Sequence, residues 1–305
     1  MRKMLAIAIV LAGIAWSTDM MSQVRMGPQV PVPAHIEAPE EGVIVPMQDM
    51  GGRPVIEVMI NGKGPYRFIL DTGAVTTVVS EDLSRELSLS APEGMQVASA
   101  SGGPPPAIVM IHDIRIGQAL LKGVIAAITP LGGLLSGENP PRGILSAASF
   151  PGYLLTFDYP GKRILIKNGA LGGADSKTSF QYGADQVLPT LPIRIAGHDT
   201  EVHLDTGSGY GLTLPTKFLT ELPLASPPKE VGRARTGGGE FPVSVARVDG
   251  TIELGQYKLD ISQISFSDAR PGPGPAVGNI GYEVLLRFVV TLDSKNRRIK
   301  IEGPN

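Results

Sequence analysis

The chain has no cysteine, one tryptophan and four histidines among its 305 residues. Without cysteine there is no disulfide, no thiol nucleophile and no lipid-bearing N-terminal cysteine, so the fold is held by packing alone. The histidines, His35, His112, His198 and His203, are too scattered for a metal ligand set, and no metal site is expected. Neither charge sign dominates: Lys+Arg 27 against Asp+Glu 29 leaves a net −2, with no electrostatic footprint for nucleic acid or an anionic membrane. Long apolar runs are also missing. Met4 to Trp16, behind the basic pair Arg2-Lys3, is a 13-residue run, short of the roughly 20 residues that span a bilayer. Residues 1–17 therefore read as a signal peptide cleaved after Ser17, with an uncleaved anchor as the alternative, and the protein is expected to be exported, periplasmic or secreted.

Glycine and proline, at 38 and 27 residues, are plentiful instead. They punctuate apolar runs of strand length, which is the pattern of a turn-rich, all-β chain. Val55 to Ile60 and Tyr66 to Leu70 flank Asn61-Gly62, a strong hairpin signal, which Lys63-Gly64-Pro65 is expected to lengthen. Ser80 is placed to cap a short helix, with Glu81 and Asp82 in its first turn.

The most informative feature is a repeat. Phe68-Ile69-Leu70-Asp71-Thr72-Gly73-Ala74 recurs as Val202-His203-Leu204-Asp205-Thr206-Gly207-Ser208. With each aspartate as origin, Ile116-Gly117-Gln118 answers to Leu254-Gly255-Gln256, and Gly143-Ile144-Leu145 to Gly278-Asn279-Ile280. Thr156-Phe157-Asp158 answers to Thr291-Leu292-Asp293. The order is the same in both copies, so the chain contains a duplicated lobe rather than a short-period array. Each aspartate ends an apolar strand and enters a glycine turn, where burial and directed N–H groups tune a carboxyl group. Two such carboxylates facing each other would share one proton and activate a water between them. Asp71 and Asp205 are thus the candidate catalytic residues.

This succession of apolar-apolar-Asp-Thr-Gly-Ala/Ser, a glycine-bearing hairpin and a later apolar-apolar-Gly resembles half of a retropepsin-like aspartic peptidase, twice in register. The resemblance covers residues 50 to 168 and 186 to 303. It implies two all-β lobes of the pepsin and retropepsin kind, related by a pseudo-two-fold axis within one chain. The expected boundaries are an extended linker over 18–45, an N-terminal lobe over 46–168, an inter-lobe linker over 169–186 and a C-terminal lobe over 187–305. It also implies endopeptidase activity on peptides bound extended between the lobes, with no cofactor. A peptide-binding or sensory module on the same fold is the alternative. One chain supplies both halves, so a monomer is expected.

Within the active-site loops the resemblance gives Thr72 and Thr206 the task of locking the two loops together. Gly73 and Gly207 allow backbone N–H groups to approach the carboxylates. Ala74 and Ser208 follow, and only Ser208 carries a hydroxyl there; it is expected to donate to Asp205 and so to hold the shared negative charge on Asp205. Ser101, Gly102 and Gly103, with Gly237, Gly238 and Gly239, are placed as candidate flap tips that close over a peptide, with plain surface loops as the alternative. Ser146 stands where the repeat has Gly281. His203 shares a strand face with Asp205 and is expected to be a hydrogen-bonded structural residue. No dinucleotide fingerprint and no nucleophile-elbow serine is present.

Overall fold

Period-two burial builds the strands. Val43 and Val45 are buried while Ile44 is exposed, and along Thr190–Ile195 the exposed positions are Pro192 and Arg194, so one face of each strand enters the core. The structure is a computed structural model that describes residues 33, 35–92, 107–131, 139–183, 188–236, 239–261, 263–269 and 276–303.

The first half comprises β1 (His35–Glu37), β2 (Val43–Pro46), β3 (Gln48–Asp49), β4 (Pro54–Ile60), β5 (Lys63–Asp71), β6 (Thr77–Ser80), β7 (Ile108–Ile116), β8 (Ala119–Thr129), β9 (Gly143–Ser146), β10 (Tyr153–Asp158) and β11 (Arg163–Asn168). Strand β7 pairs with both β4 and β8, so the order β4-β5-β9-β6-β8-β7 closes on itself as a six-stranded barrel. The second half comprises β12 (Ser179–Gln181), β13 (Thr190–Ile195), β14 (His198–Leu204), β15 (Leu212–Leu214), β16 (Lys229–Thr236), β17 (Gly239–Ala246), β18 (Ile252–Leu254), β19 (Tyr257–Leu259), β20 (Ile264–Phe266), β21 (Gly278–Ile280), β22 (Val289–Asp293) and β23 (Arg298–Glu302). Its sheet runs β16-β17-β20-β15-β21-β14-β13-β18-β19. Gly117 and Gly255, both at φ +56°, make the matched turns between β7 and β8 and between β18 and β19.

A third sheet joins the halves: β12-β23-β22-β10-β11-β2. At its centre β10 and β22 run antiparallel with Thr156 opposite Thr291, their hydroxyls 2.9 Å apart. Equivalent residues thus meet at the pseudo-two-fold axis, and one hydrophobic cluster runs from Val43 through Phe157 and Val290 to Ile301. The fold is all-β and bilobal.

Three local expectations change. Residues 18–45 do not form a linker throughout, because β1 pairs with β8 and β2 pairs with β11. Four residues of alternation between prolines were too short to separate an edge strand from extended chain, and Pro46 is tolerated because β2 lies at the sheet's edge. Within 169–186, β12 likewise joins β23, and Asp175 fixes the approach by accepting N–H groups of Lys177, Thr178 and Ser179. The Asn61-Gly62 hairpin is not lengthened: Ile60 pairs with Lys63, both turn residues have positive φ, and an irregularity between Val58 and Ile60 absorbs the mismatch. Ser80 does cap helix α1 (Glu81–Glu86), accepting from the Leu83 N–H at 3.1 Å.

Residues 1–17, Ser101, Gly102, Gly103, Gly237 and Gly238 lie outside the described residues.

Candidate active site

Each aspartate is delivered by an apolar strand lying beside a parallel neighbour. Strand β5 runs parallel to β9, with Leu70 opposite Leu145 and Asp71 opposite Ser146. Strand β14 runs parallel to β21, with Leu204 opposite Ile280, and Asp205 follows at its end. Phe68, Leu70, Val202 and Leu204 are fully buried and anchor the two strand ends, which leaves Asp71 and Asp205 inside the protein at 1% and 3% exposure.

The two threonines tie the loops to each other reciprocally. Thr72 Oγ1 donates to the Leu204 carbonyl at 2.6 Å and accepts the Thr206 N–H at 3.0 Å. Thr206 Oγ1 donates to the Leu70 carbonyl at 2.8 Å and accepts the Thr72 N–H at 3.0 Å. These buried groups have their partners in the other half, so separating the halves would strand all of them.

Gly73 and Gly207 have a sharper reason than access for N–H groups. A Cβ on Gly73 would stand 2.7 Å from Oδ1 of Asp205, and one on Gly207 would overlap Oδ2 of Asp71. Each glycine is therefore the surface against which the opposite half's carboxylate packs. Only hydrogen at that position lets the two acids approach.

Burial raises the Asp71 pKa from 3.8 to about 6, against the backbone N–H groups of Gly73 (2.7 Å), Gly207 and Ala74 and the charge of Arg53, which favour ionisation. Asp205 is pushed well above its ordinary value, first by burial and then by the charge of Asp71; Asn279 Nδ2, donating at 2.8 Å to Oδ2, offsets only part of this. Its Oδ1 is buried without a hydrogen-bond partner among the described residues. Both carboxyl groups thus hold a proton more readily than an ordinary aspartate, Asp205 more so than Asp71. The expectation drawn from Ser208 is not met: its hydroxyl accepts the Tyr210 N–H at 3.4 Å and is not bonded to Asp205. Ala74 supports its own half's charge through its backbone N–H, which needs no hydroxyl.

Ser146 fits its site. Its Oγ donates to the Ala74 carbonyl at 2.5 Å and accepts the Ala148 N–H at 3.2 Å. In the second half the equivalent Ser208 carbonyl accepts the Tyr282 N–H at 3.0 Å, and a Cβ on Gly281 would lie 2.7 Å from that carbonyl and 2.5 Å from that of Tyr210. The same acceptor is satisfied by a side chain in one half and by backbone in the other.

His203 is not the hydrogen-bonded histidine expected: its Nδ1 is buried with no partner among the described residues, and burial lowers its pKa. Gly239 opens β17, opposite Thr236 in the β16–β17 hairpin, and Ala234 and Val243 of that hairpin line a cavity shared with His203, Asp205 and Gly73. Three neighbours were missed from sequence. Asn279 was visible as a polar residue where the first copy has Ile144. Arg53 and Tyr159 have no repeat partner to mark them, although the charges of both aspartates act on the buried Tyr159 hydroxyl.

Two lobes that each place an aspartate of an Asp-Thr-Gly turn on a shared axis define the aspartic-peptidase class of fold. A family profile described as "Aspartyl protease" matches the chain twice, over residues 56–147 and 191–284, and the chain belongs to that family. It consists of two tandem retropepsin-type halves. Among solved structures it is similar to "a retropepsin-like aspartic protease from Rickettsia conorii" at 16% identity and a TM-score of 0.30, over 45% of this chain and 95% of that one. No curated protein matches.

Proposed function

We propose that the chain is an aspartic endopeptidase in which Asp71 and Asp205 act as one catalytic unit. The observation that carries this is a pair of buried carboxyl groups from matched loops, each packed on the other half's glycine, with their proton affinities driven apart. Ionised Asp71 removes a proton from a water that attacks the scissile carbonyl carbon, while Asp205 gives its proton to the carbonyl oxygen. The tetrahedral adduct then collapses as the leaving nitrogen takes a proton and the C–N bond breaks. No metal or cofactor enters these steps.

The substrate is a peptide held extended in the cleft, with the β16–β17 hairpin as the flap of the second half. The protein works as a monomer, since the threonine lattice is closed within one chain, and it is exported by its N-terminal segment. A misfit at Ser146 would favour a non-catalytic binding module on the same fold, but Ser146 is well bonded and gives that alternative no support.

Asp71→Asn and Asp205→Asn should each reduce kcat/KM on a peptide library by on the order of 10⁴-fold with the unfolding curve retained, and the double variant should be scarcely worse, because residues acting as a unit are non-additive. Near-normal turnover in either single variant would refute the shared pair.

A further inference from the structure

Between β3 and β4 the chain makes a tight turn, Asp49 to Arg53, that belongs to the first half by sequence and touches the second. Asp49 Oδ1 accepts the Gly52 N–H at 2.8 Å, and the Met50 N–H donates to the Arg53 carbonyl at 3.1 Å. Gly52, at φ +81°, is buried against Gly209 in the loop that carries Asp205. A Cβ on Gly52 would lie 2.8 Å from Gly209 Cα, and one on Gly209 would lie 2.5 Å from the Gly51 carbonyl oxygen. Glycine on both sides lets the two backbones meet.

One side chain spans this contact. Tyr282 opens the helical turn Tyr282–Leu285; its N–H donates to the Ser208 carbonyl at 3.0 Å and its hydroxyl donates to Asp49 Oδ2 at 2.7 Å. Its ring packs edge-on against buried Tyr159, with centroids 6.0 Å apart. Ser146 answers to Gly281, so the repeat places Ala147 opposite Tyr282, and a methyl group makes no such bond. The hydroxyl link therefore belongs to the second half alone and is not part of the duplicated machinery. Being exposed to water, it contributes little to stability. What it fixes is the place of the turn, and with the turn Arg53. The Arg53 Nη1 donates to the Gly51 carbonyl at 3.3 Å, and the guanidinium charge favours the ionised form of both Asp71 and Asp205.

We propose that Tyr282 is a positioning residue for the catalytic pair: through Asp49 it holds the Asp49–Arg53 turn against the Asp205 loop, so that a cation of the first half stands at a fixed place beside both acids. This rests on the peptidase function proposed above. The attraction between a guanidinium and a carboxylate weakens as the pair separates and water enters, so a turn that swings outward leaves the acids harder to ionise. The neighbouring titratable groups do not substitute for Arg53. Tyr159 at the end of β10 and Tyr210 beside Gly209 are kept neutral by burial, burial likewise disfavours a charge on His203, and Glu283, next to Tyr282, is a carboxylate.

The test compares pH profiles of kcat/KM on a peptide library for the full-length protein, for Tyr282→Phe, Gly209→Ala and Arg53→Gln, and for each of the first two combined with Arg53→Gln. Tyr282→Phe keeps the ring and removes only the hydroxyl. It should leave the urea unfolding curve nearly unchanged and move the acid limb to higher pH by about 0.5 unit, which lowers kcat/KM on that limb about threefold. Gly209→Ala pushes the turn off the Asp205 loop and should move the limb in the same direction. In the Arg53→Gln background, where the charge is already gone, neither change should move the limb further. An acid limb unmoved in Tyr282→Phe, or a shift that persists in the Arg53→Gln background, overturns the link and leaves the peptidase standing. Absence of any cleavage that Asp71→Asn abolishes overturns the peptidase function and the link with it.

Discussion

The two halves agree where they touch each other and diverge in the layer beside each aspartate. Thr72 and Thr206 make the same pair of cross-axis hydrogen bonds, Gly73 and Gly207 each support the other half's carboxylate, and Thr156 meets Thr291. Away from the axis, Ile69 and Ile144 give way to His203 and Asn279, and Ser146 to Gly281. A residue at the axis contacts its own counterpart, so a change in one copy strands a partner in the other. Ile69, Ile144, His203 and Asn279 pair with strands of their own half and do not meet a counterpart, so each is free to change alone. With identical surroundings the two acids would hold a shared proton equally; the unequal environment raises Asp205 further than Asp71, which is what the proposed division of acid and base requires.

The largest expected effect comes from breaking the axis. Gly207→Ala puts a methyl into Oδ2 of Asp71 and should lower kcat/KM on the order of 100-fold or more, as displacement of a catalytic group does; Gly73→Ala should match it. Activities differing widely between the two would show that the axis is less symmetric than its geometry. Thr72→Val and Thr206→Val each remove a donor and an acceptor from buried partners, so each should cost about 2–4 kcal/mol of stability in urea unfolding. Equal losses sharpen the comparison, and a difference above about 1 kcal/mol breaks it.

Exchanging the odd residue between halves should give unequal results. Gly281→Ser pushes a side chain against the carbonyls of Ser208 and Tyr210 and should destabilise by about 1–3 kcal/mol, whereas Ser146→Gly loses one hydrogen bond to the Ala74 carbonyl and should cost about 1 kcal/mol. Thermal unfolding of the two variants gives the order, and Ser146→Gly as the worse one would contradict it.

The smallest effects are on pH dependence. Asn279→Ile, which makes the second half resemble the first, removes a donor to Asp205; its pKa should rise further, and the basic limb of the pH–rate profile should move to higher pH. Arg53→Gln removes a charge that favours ionised Asp71, and the acid limb should move to higher pH, with the basic limb less affected because burial and Asp71 dominate at Asp205. Stability follows both acids. Between 3.8 and about 6 folded Asp71, and with it folded Asp205, keeps a proton that the unfolded chain has released, so stability falls as pH rises through that window. Asp71→Asn should reduce this slope without abolishing it in chemical-denaturation curves taken from pH 4 to 7.

Duplication, strand content and the two aspartates were legible in the residues, because Asp-Thr-Gly, the glycine hairpins and the Thr-x-Asp strands recur in order and local pattern alone reveals them. The short edge strands β1 and β2 were not, since three or four residues carry too little alternation to stand out from extended chain. The sequence by itself also showed that His203 and Ser208 depart from Ile69 and Ala74, but it suggested the wrong consequence. Only the tertiary structure decided that Ser208 bonds with Tyr210 and that Asn279 is the group reaching Asp205. Proton affinity depends on which buried groups meet across strands distant in the chain, and a pattern of neighbours along the sequence does not contain that distance.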